Sequence, residues 1–239
     1  MQDLRDFEVR SASETLAWAI STFGNSFGIA TSFQKEGMVI VDLAARISPA
    51  VRIFTLDTGR LPEETYRIME TVRTRYGTTV EVVAPDREEV ERMVAAQGPD
   101  LFYRSVEGRK LCCDVRKVRP LARKLVEFEA WATGLRRDQS ETRGGLRRVE
   151  QVDGRIKINP LVDWTAADVE RYIAEHDVPL HPLYARGYTS IGCAPCTRAV
   201  TPGEDPRAGR WWWEQDARKE CGIHFAADGS VSRVIPTGS

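Results

Sequence analysis

Apolar positions in the first half of the chain alternate between short runs and helical stripes. Residues 27–33 (FGIATSF) form an apolar run suited to a buried strand. Residues 35–46 follow with Met38, Val41 and Ala45 at helical spacing. Residues 51–56 (VRIFTL) predict a second strand. Residues 62–76 place Ile68, Met69, Val72 and Tyr76 on one helix face, with Pro62 suited to the first turn. Residues 79–83 (TVEVV) predict a third strand, and residues 87–96 an acid-rich helix. Three strand–helix repeats imply parallel strands joined by right-handed crossovers. Ligands of such sheets bind beyond the carboxyl ends of the strands, here residues 31–37 and 56–59.

The second half is less regular. It predicts a helix over 113–128 with Pro120 able to kink it, and a fourth strand over 130–134. A hairpin over 149–158 turns at Asp153-Gly154, and a helix over 165–176 has Thr165 as N-cap. Residues 202–209 are loop-like. The pattern predicts an α/β fold, a parallel twisted sheet with flanking helices, and a C-terminal extension. The expected division is an α/β domain over 1–210 and a mobile C-terminal segment over 211–239.

Charge narrows the function classes. The chain has 239 residues, 34 Lys and Arg against 35 Asp and Glu, and a formal charge of −1. It is long enough to bury a core without disulfides. Near-neutrality gives no overall attraction to nucleic acid or anionic membrane. No apolar run approaches the roughly 18 residues of a membrane span. The opening MQDLRDFEVR lacks the apolar stretch of a signal peptide. A cytoplasmic protein is expected, without nucleic-acid or membrane partners and with homo-oligomerisation left open.

The five cysteines divide into two pairs and a single residue. In a reducing compartment, clustered cysteines signal metal or redox chemistry. Cys112 and Cys113 are adjacent, whereas Cys193 and Cys196 form a C-x-x-C pair. Structural zinc usually takes two C-x₂₋₄-C knuckles, which an adjacent pair does not easily make. Two neighbouring sulfurs can instead reach different irons, so the spacing favours a [4Fe–4S] cluster over zinc. The alternatives are ordinary buried cysteines at 112 and 113 and a thioredoxin-like dithiol at 193 and 196. Cys221 lies between Arg218-Lys219 and His224, a setting that favours the nucleophilic thiolate. An inert surface cysteine is the alternative there.

Arginines cluster beside glycines at Gly134-Leu135-Arg136-Arg137 and at Arg207-Ala208-Gly209-Arg210. Arginine's planar fork suits bidentate binding of oxyanions, so these groups are candidate anion sites. Arg147-Arg148 reads as a solvated face. Trp211-Trp212-Trp213 reads as core or a subunit contact, with cation–π stacking on Arg210 open to it.

Taken together, six segments resemble the assimilatory sulfonucleotide reductases, which reduce adenosine 5′-phosphosulfate (APS) or its 3′-phosphorylated form (PAPS). They are Leu56-Asp57-Thr58-Gly59-Arg60, Cys112-Cys113-Asp114-Val115-Arg116-Lys117, Gly134-Leu135-Arg136-Arg137-Asp138-Gln139-Ser140 and His181-Pro182-Leu183-Tyr184, with the run GYTSIGCAPCT at 187–197 and Lys219-Glu220-Cys221-Gly222-Ile223-His224. The resemblance spans most of the chain and implies an adenine-nucleotide α-hydrolase-like sheet related to PP-loop enzymes. The four paired cysteines accompany the APS-using branch, so the resemblance implies an APS reductase with a [4Fe–4S] cluster on Cys112, Cys113, Cys193 and Cys196. It implies Cys221 as the catalytic cysteine and Lys117 between cluster and substrate. Arg137, Arg207, Arg210 and His224 match the phosphosulfate side. Ser32, Phe33, Leu56, Asp57 and Thr58 match the nucleotide-binding edge, and Gly134 and Arg136 are further substrate-binding candidates. Thioredoxin, or glutaredoxin, is the implied thiol donor. The loop TSFQKEG at 31–37 departs from the family's Ser-Phe-Gly-Ala-Glu-Asp-like run, since Gln34 and Lys35 replace small residues. The alternatives are a PAPS reductase, a non-catalytic iron–sulfur protein, and an ATP-using PP-loop enzyme, whose Ser-Gly-Gly-x-Asp-Ser loop is not found in this sequence.

Overall fold

The computed structural model describes residues 4–139 and 143–214. These form two compact units interleaved along the chain. The first runs to Thr55 and continues through Pro62–Val82 and Glu127–Arg186. The second comprises Leu56–Leu61, Val83–Val126 and, among the described residues, 187–214.

The first unit is built on a six-stranded sheet. Its strands are β1 (Phe27–Ala30), β2 (Arg52–Leu56), β3 (Val80–Val83), β4 (Ala130–Ala132), β5 (Val149–Val152) and β6 (Arg155–Ile158), in the order β3-β2-β1-β4-β6-β5. β1 runs parallel to β2 and β4, and β4 runs parallel to β6. The edge strand β5 is antiparallel to β6, so the sheet is mostly, not wholly, parallel. Asp153 and Gly154 both take positive φ, 49° and 77°, as a two-residue hairpin turn requires.

Among the described residues, four α-helices belong to this unit: α1 (Ala12–Phe23), α2 (Lys35–Ile47), α3 (Glu63–Tyr76) and α7 (Ala166–His176). The hydrophobic pattern did not predict α1. Its start is a capping box, with the Glu14 amide donating to Ser11 Oγ and the Ser11 amide donating to the Glu14 carboxylate. Thr165 and Asp168 make the same device at α7. Pro62 is the N-cap of α3, one position before its expected place in the first turn. β1 ends at Ala30, short of the apolar run, because the chain turns at Phe33, which has φ of 56° and a fully buried side chain. Phe27, Ile29, Val39, Ile40, Ile53 and Ala132 form the centre of the core.

Buried Asp42 on α2 accepts hydrogen bonds from Arg46 (2.7 Å), Tyr76 of α3 (3.0 Å) and Tyr172 of α7 (2.7 Å). Burial opposes its ionisation, yet the three donors outweigh burial and hold the carboxyl below the usual range. Arg148, expected on a solvated face, is instead buried. It donates to the Pro160 carbonyl and pairs with Asp163 at 2.6 Å.

In the second unit, α4 (Arg87–Gln97) precedes a nearly continuous helical stretch. That stretch is α5 (Val106–Cys113), a π turn (Asp114–Val118) and α6 (Arg119–Leu125). It starts seven residues before the expected helix. Pro120 lies at the start of α6 rather than at a mid-helix kink. Met93, Leu101, Phe102, Val115 and Trp211 form this unit's core with Cys112, Cys193 and Cys196.

Candidate functional site

The second unit brings Cys112, Cys113, Cys193 and Cys196 to one pocket. All four are buried free thiols. The first two end α5, where the wide π turn begins. Such turns are frequent at functional sites, and here Arg116 and Lys117 of the π turn line the same pocket as the cysteines. Of the other two, Cys193 caps and Cys196 ends a single 3₁₀ turn, Ala194–Cys196, closed by the Cys196 amide on the Cys193 carbonyl at 2.9 Å. The Thr197 hydroxyl donates to that same carbonyl at 3.0 Å, and the Ala194 amide donates to the Arg60 carbonyl at 2.8 Å.

Thr58 Oγ1 lies 3.2 Å from Cys193 Sγ, and Arg116 donates to the Thr58 carbonyl at 2.7 Å. Arg60, Arg109 and Arg210 complete the cationic lining, which contains no carboxylate or imidazole among the described residues. Arg210 lies 4.6 Å over the Trp211 ring, the stacking anticipated from sequence. Burial, reinforced by Cys193, pushes the Cys196 thiol up to about 12. Burial also raises Cys112, against the pull of Arg116. Thiols so placed keep their protons at neutral pH until a metal displaces them.

The donor set fits an iron–sulfur cluster. Four soft sulfur ligands share the pocket. Two buried N–H groups of lining residues, Arg116 Nε and Trp211 Nε1, have no acceptor among the described residues. A sulfide-rich group is a source of such acceptors. Among the described residues, no three Cys, His, Asp or Glu side chains form a site for a single metal ion.

The expected nucleotide residues divide between the units. In the first, Gly134 follows β4, and a Cβ there would come within 2.8 Å of Glu36 Cβ, so the close approach to α2 requires glycine. Buried Arg136 pairs with Glu36 at 3.1 Å and Asp138 at 2.9 Å. Half-exposed Arg137 pairs with Glu8 at 2.7 Å and donates to the Leu146 carbonyl at 2.8 Å. Ser32 Oγ accepts from Gln34 at 3.0 Å, beside buried Phe33. Lys35 pairs with Glu170 and lies 4.7 Å over the Tyr184 ring.

In the second unit, Asp57, which follows Leu56, accepts from the Gly59 amide at 2.8 Å. The Arg207 amide donates to Asp205 at 2.7 Å. Cys221 and His224 lie outside the described residues. Sequence reasoning did not single out Arg60, Arg109 or Arg116. Arg116 carried a usable signal, because it stands one helical turn after Cys112.

Residues 27–199 match the family described as the phosphoadenosine phosphosulfate reductase domain. The chain belongs to this family. The reductase is 51% identical over 198 residues to adenosine 5′-phosphosulfate reductase of Burkholderia cepacia, covering 82% of this chain and 79% of that one. It is 50% identical over 202 residues to the Allochromatium vinosum protein of the same name, covering 84% and 79%. Among solved structures, the phosphate complex of phosphoadenylyl-sulfate reductase from Candida auris superposes with a TM-score of 0.69 at 30% identity, covering 84% of this chain and 98% of that one. FMN adenylyltransferase of Candida glabrata, in complex with ATP, shares the fold at a TM-score of 0.54 and 15% identity, over 82% of this chain and 66% of that one. The reductase is therefore an oxidoreductase enzyme on a PP-loop-like α/β fold. No helix among its described residues is long and apolar enough to cross a membrane.

Proposed function

We propose that the reductase converts APS to sulfite and AMP in sulfate assimilation, with a dithiol of the thioredoxin or glutaredoxin class as donor. The observation that carries this reading is the shared, cation-lined pocket of Cys112, Cys113, Cys193 and Cys196. Relatives at 50–51% identity named APS reductase support it. These four cysteines would hold a [4Fe–4S] cluster, whose contribution is electrostatic and structural. A cytoplasmic setting suits it, since thiols stay reduced there.

The chemistry needs one nucleophile and several cations. The Cys221 thiolate attacks the sulfur of APS, and an S–Sγ bond forms as the S–O bond to the phosphate breaks. AMP leaves with the electron pair on its phosphate oxygen. Lys117, Arg207 and Arg210 offset the charge of two approaching anions; in the first unit, Arg136 is already committed to Glu36 and Asp138, and Arg137 to Glu8. His224, three residues after the nucleophile, is a further candidate for the phosphosulfate side. A donor thiolate then attacks Cys221 Sγ, sulfite departs, and the donor's second thiol resolves the mixed disulfide. The dithiol supplies both electrons, so no further reductant is required.

PAPS reduction is the second reading, favoured by the likeness to the Candida auris enzyme. Turnover of the two nucleotides with reduced thioredoxin decides between them. APS turning over with much the higher kcat/KM supports the reading above, and preference for the 3′-phosphorylated form overturns it.

A further inference from the structure

We propose that Tyr184 is a positioning residue for the nucleotide, acting through the first turn of α2 on the loop at 31–34. The inference rests on the reading of Ser32 and Phe33 as part of the nucleotide-binding edge. α2 begins at Lys35, and the side chain of its N-cap residue, Gln34, makes no capping hydrogen bond. The first amides of a helix have no partner within it. Here the Lys35 amide donates to the Tyr184 hydroxyl oxygen at 3.2 Å, a contact across 149 positions of sequence. The Lys35 ammonium lies over the same ring at 4.7 Å and pairs with Glu170 of α7. Tyr184 thus serves α2 from a distance, as Ser11 and Thr165 serve α1 and α7 locally.

Tyr184 is itself held. It lies in a 3₁₀ turn, Pro182–Arg186, and its amide donates to the His181 carbonyl at 3.0 Å. Buried His181 places Nε2 3.0 Å from the Thr65 hydroxyl of α3 and accepts the Leu183 amide at Nδ1, at 3.3 Å. Arg186 pairs with Glu64 at 2.6 Å. Residues 181–186 are therefore fastened to α3 and present the Tyr184 hydroxyl to α2.

The loop at 31–34 needs such support. Phe33 has φ of 56°, a conformation that a bulky residue keeps only where surrounding contacts over-determine it. The Phe33 amide donates to Thr31 Oγ1 at 3.0 Å, and a Cβ at Gly37 would come within 2.5 Å of that oxygen, so the loop is folded tightly onto the first turn of α2. Glu36, in that turn, accepts from Arg136 at 3.1 Å and from Gln139 at 3.0 Å. Lys35 and Glu36 therefore join the loop at 31–34, the segment at 134–139 and the Tyr184 turn. Affinity is highest for a site already held in its bound form.

The test uses the full chain reconstituted with iron and sulfide. Tyr184→Phe removes only the hydroxyl, and Ser32→Trp blocks the loop at an exposed position. AMP affinity by calorimetry, KM and kcat on APS, and thermal midpoint are measured. AMP affinity reads the site whichever sulfonucleotide the enzyme prefers. Tyr184→Phe should weaken AMP binding and raise KM by about fivefold, the scale of one capping bond, with kcat within about twofold of wild type. Ser32→Trp should abolish AMP binding with the thermal midpoint retained. Wild-type AMP affinity in Tyr184→Phe, beside its loss in Ser32→Trp, overturns this proposal alone. So does a fall in kcat or thermal midpoint with KM and AMP affinity unchanged, which would make Tyr184 part of the fold only. If Ser32→Trp binds AMP as wild type does, or wild type binds none, the reading of the loop as nucleotide edge fails and the inference falls with it.

Discussion

The Thr58 hydroxyl lies 3.2 Å from the sulfur of Cys193, and the Thr58 carbonyl is held by Arg116 at 2.7 Å. One residue at the carboxyl end of the second strand's segment therefore joins a thiol of one cysteine pair to the π turn that follows the other. Thr58→Val keeps the shape and removes the hydroxyl. Losing such a bond costs on the order of 1 kcal/mol. The proposed cluster should load but bleach several-fold faster under chelator than in wild type, and Thr58→Ser should restore the wild-type rate. Absorbance decay under a fixed chelator concentration measures this.

Gly108 fixes α5 against the preceding turn. A Cβ there would stand 2.4 Å from the Leu101 carbonyl oxygen, a backbone atom that cannot swing aside. Gly108→Ala should destabilise the protein by about 1–3 kcal/mol and lower iron per chain, because the helix that moves carries Cys112 and Cys113. A thermal midpoint and iron content equal to wild type would contradict this.

Gly192 presents a different case. A Cβ there meets the Arg210 guanidinium at 2.4 Å, the far end of a flexible side chain. Gly192→Ala should leave the thermal midpoint nearly unchanged while displacing Arg210. If Arg210 serves the anionic nucleotide, KM should rise about tenfold, the scale of one charge-assisted hydrogen bond. Steady-state kinetics on APS reads this directly.

Removal of metal should make stability depend on alkaline pH. Burial raises the folded-state Cys196 thiol from 9.0 to about 12, and it raises Cys112 in the same direction. Below pH 9 both folded and unfolded thiols are protonated, and the contribution is complete. Above pH 9 the unfolded chain loses these protons first, so stability falls progressively toward pH 12. Urea midpoints of chelated protein across that range should decline, and a Cys196→Ala variant should decline less steeply.

Much of the architecture was legible because local chemistry and tertiary packing agree. Asp153-Gly154 could only be a tight hairpin turn, and Thr165 with Asp168 announces the start of α7. The two cysteine pairs were legible as one site because thiols in a reducing compartment have few other reasons to cluster. The missed helix α1 carried its own signal in Ser11 and Glu14, read only once the cap was seen. The π turn had no such signal, since a shift of one hydrogen-bond register is decided by what packs around Asp114–Val118. Arg148 was misread because a charged dipeptide does not reveal that Asp163 and the Pro160 carbonyl will meet it. The partnership of Arg137 with Glu8 joins residues far apart in sequence, and no local pattern encodes it.

The central claim is that Cys221 takes the sulfo group from the nucleotide. Radiolabelled APS, added to the cluster-loaded enzyme without thiol donor, measures it. Wild-type protein should retain the label in a form that reduced thioredoxin releases as sulfite, and Cys221→Ser should retain none. Label held equally by both proteins would contradict the account.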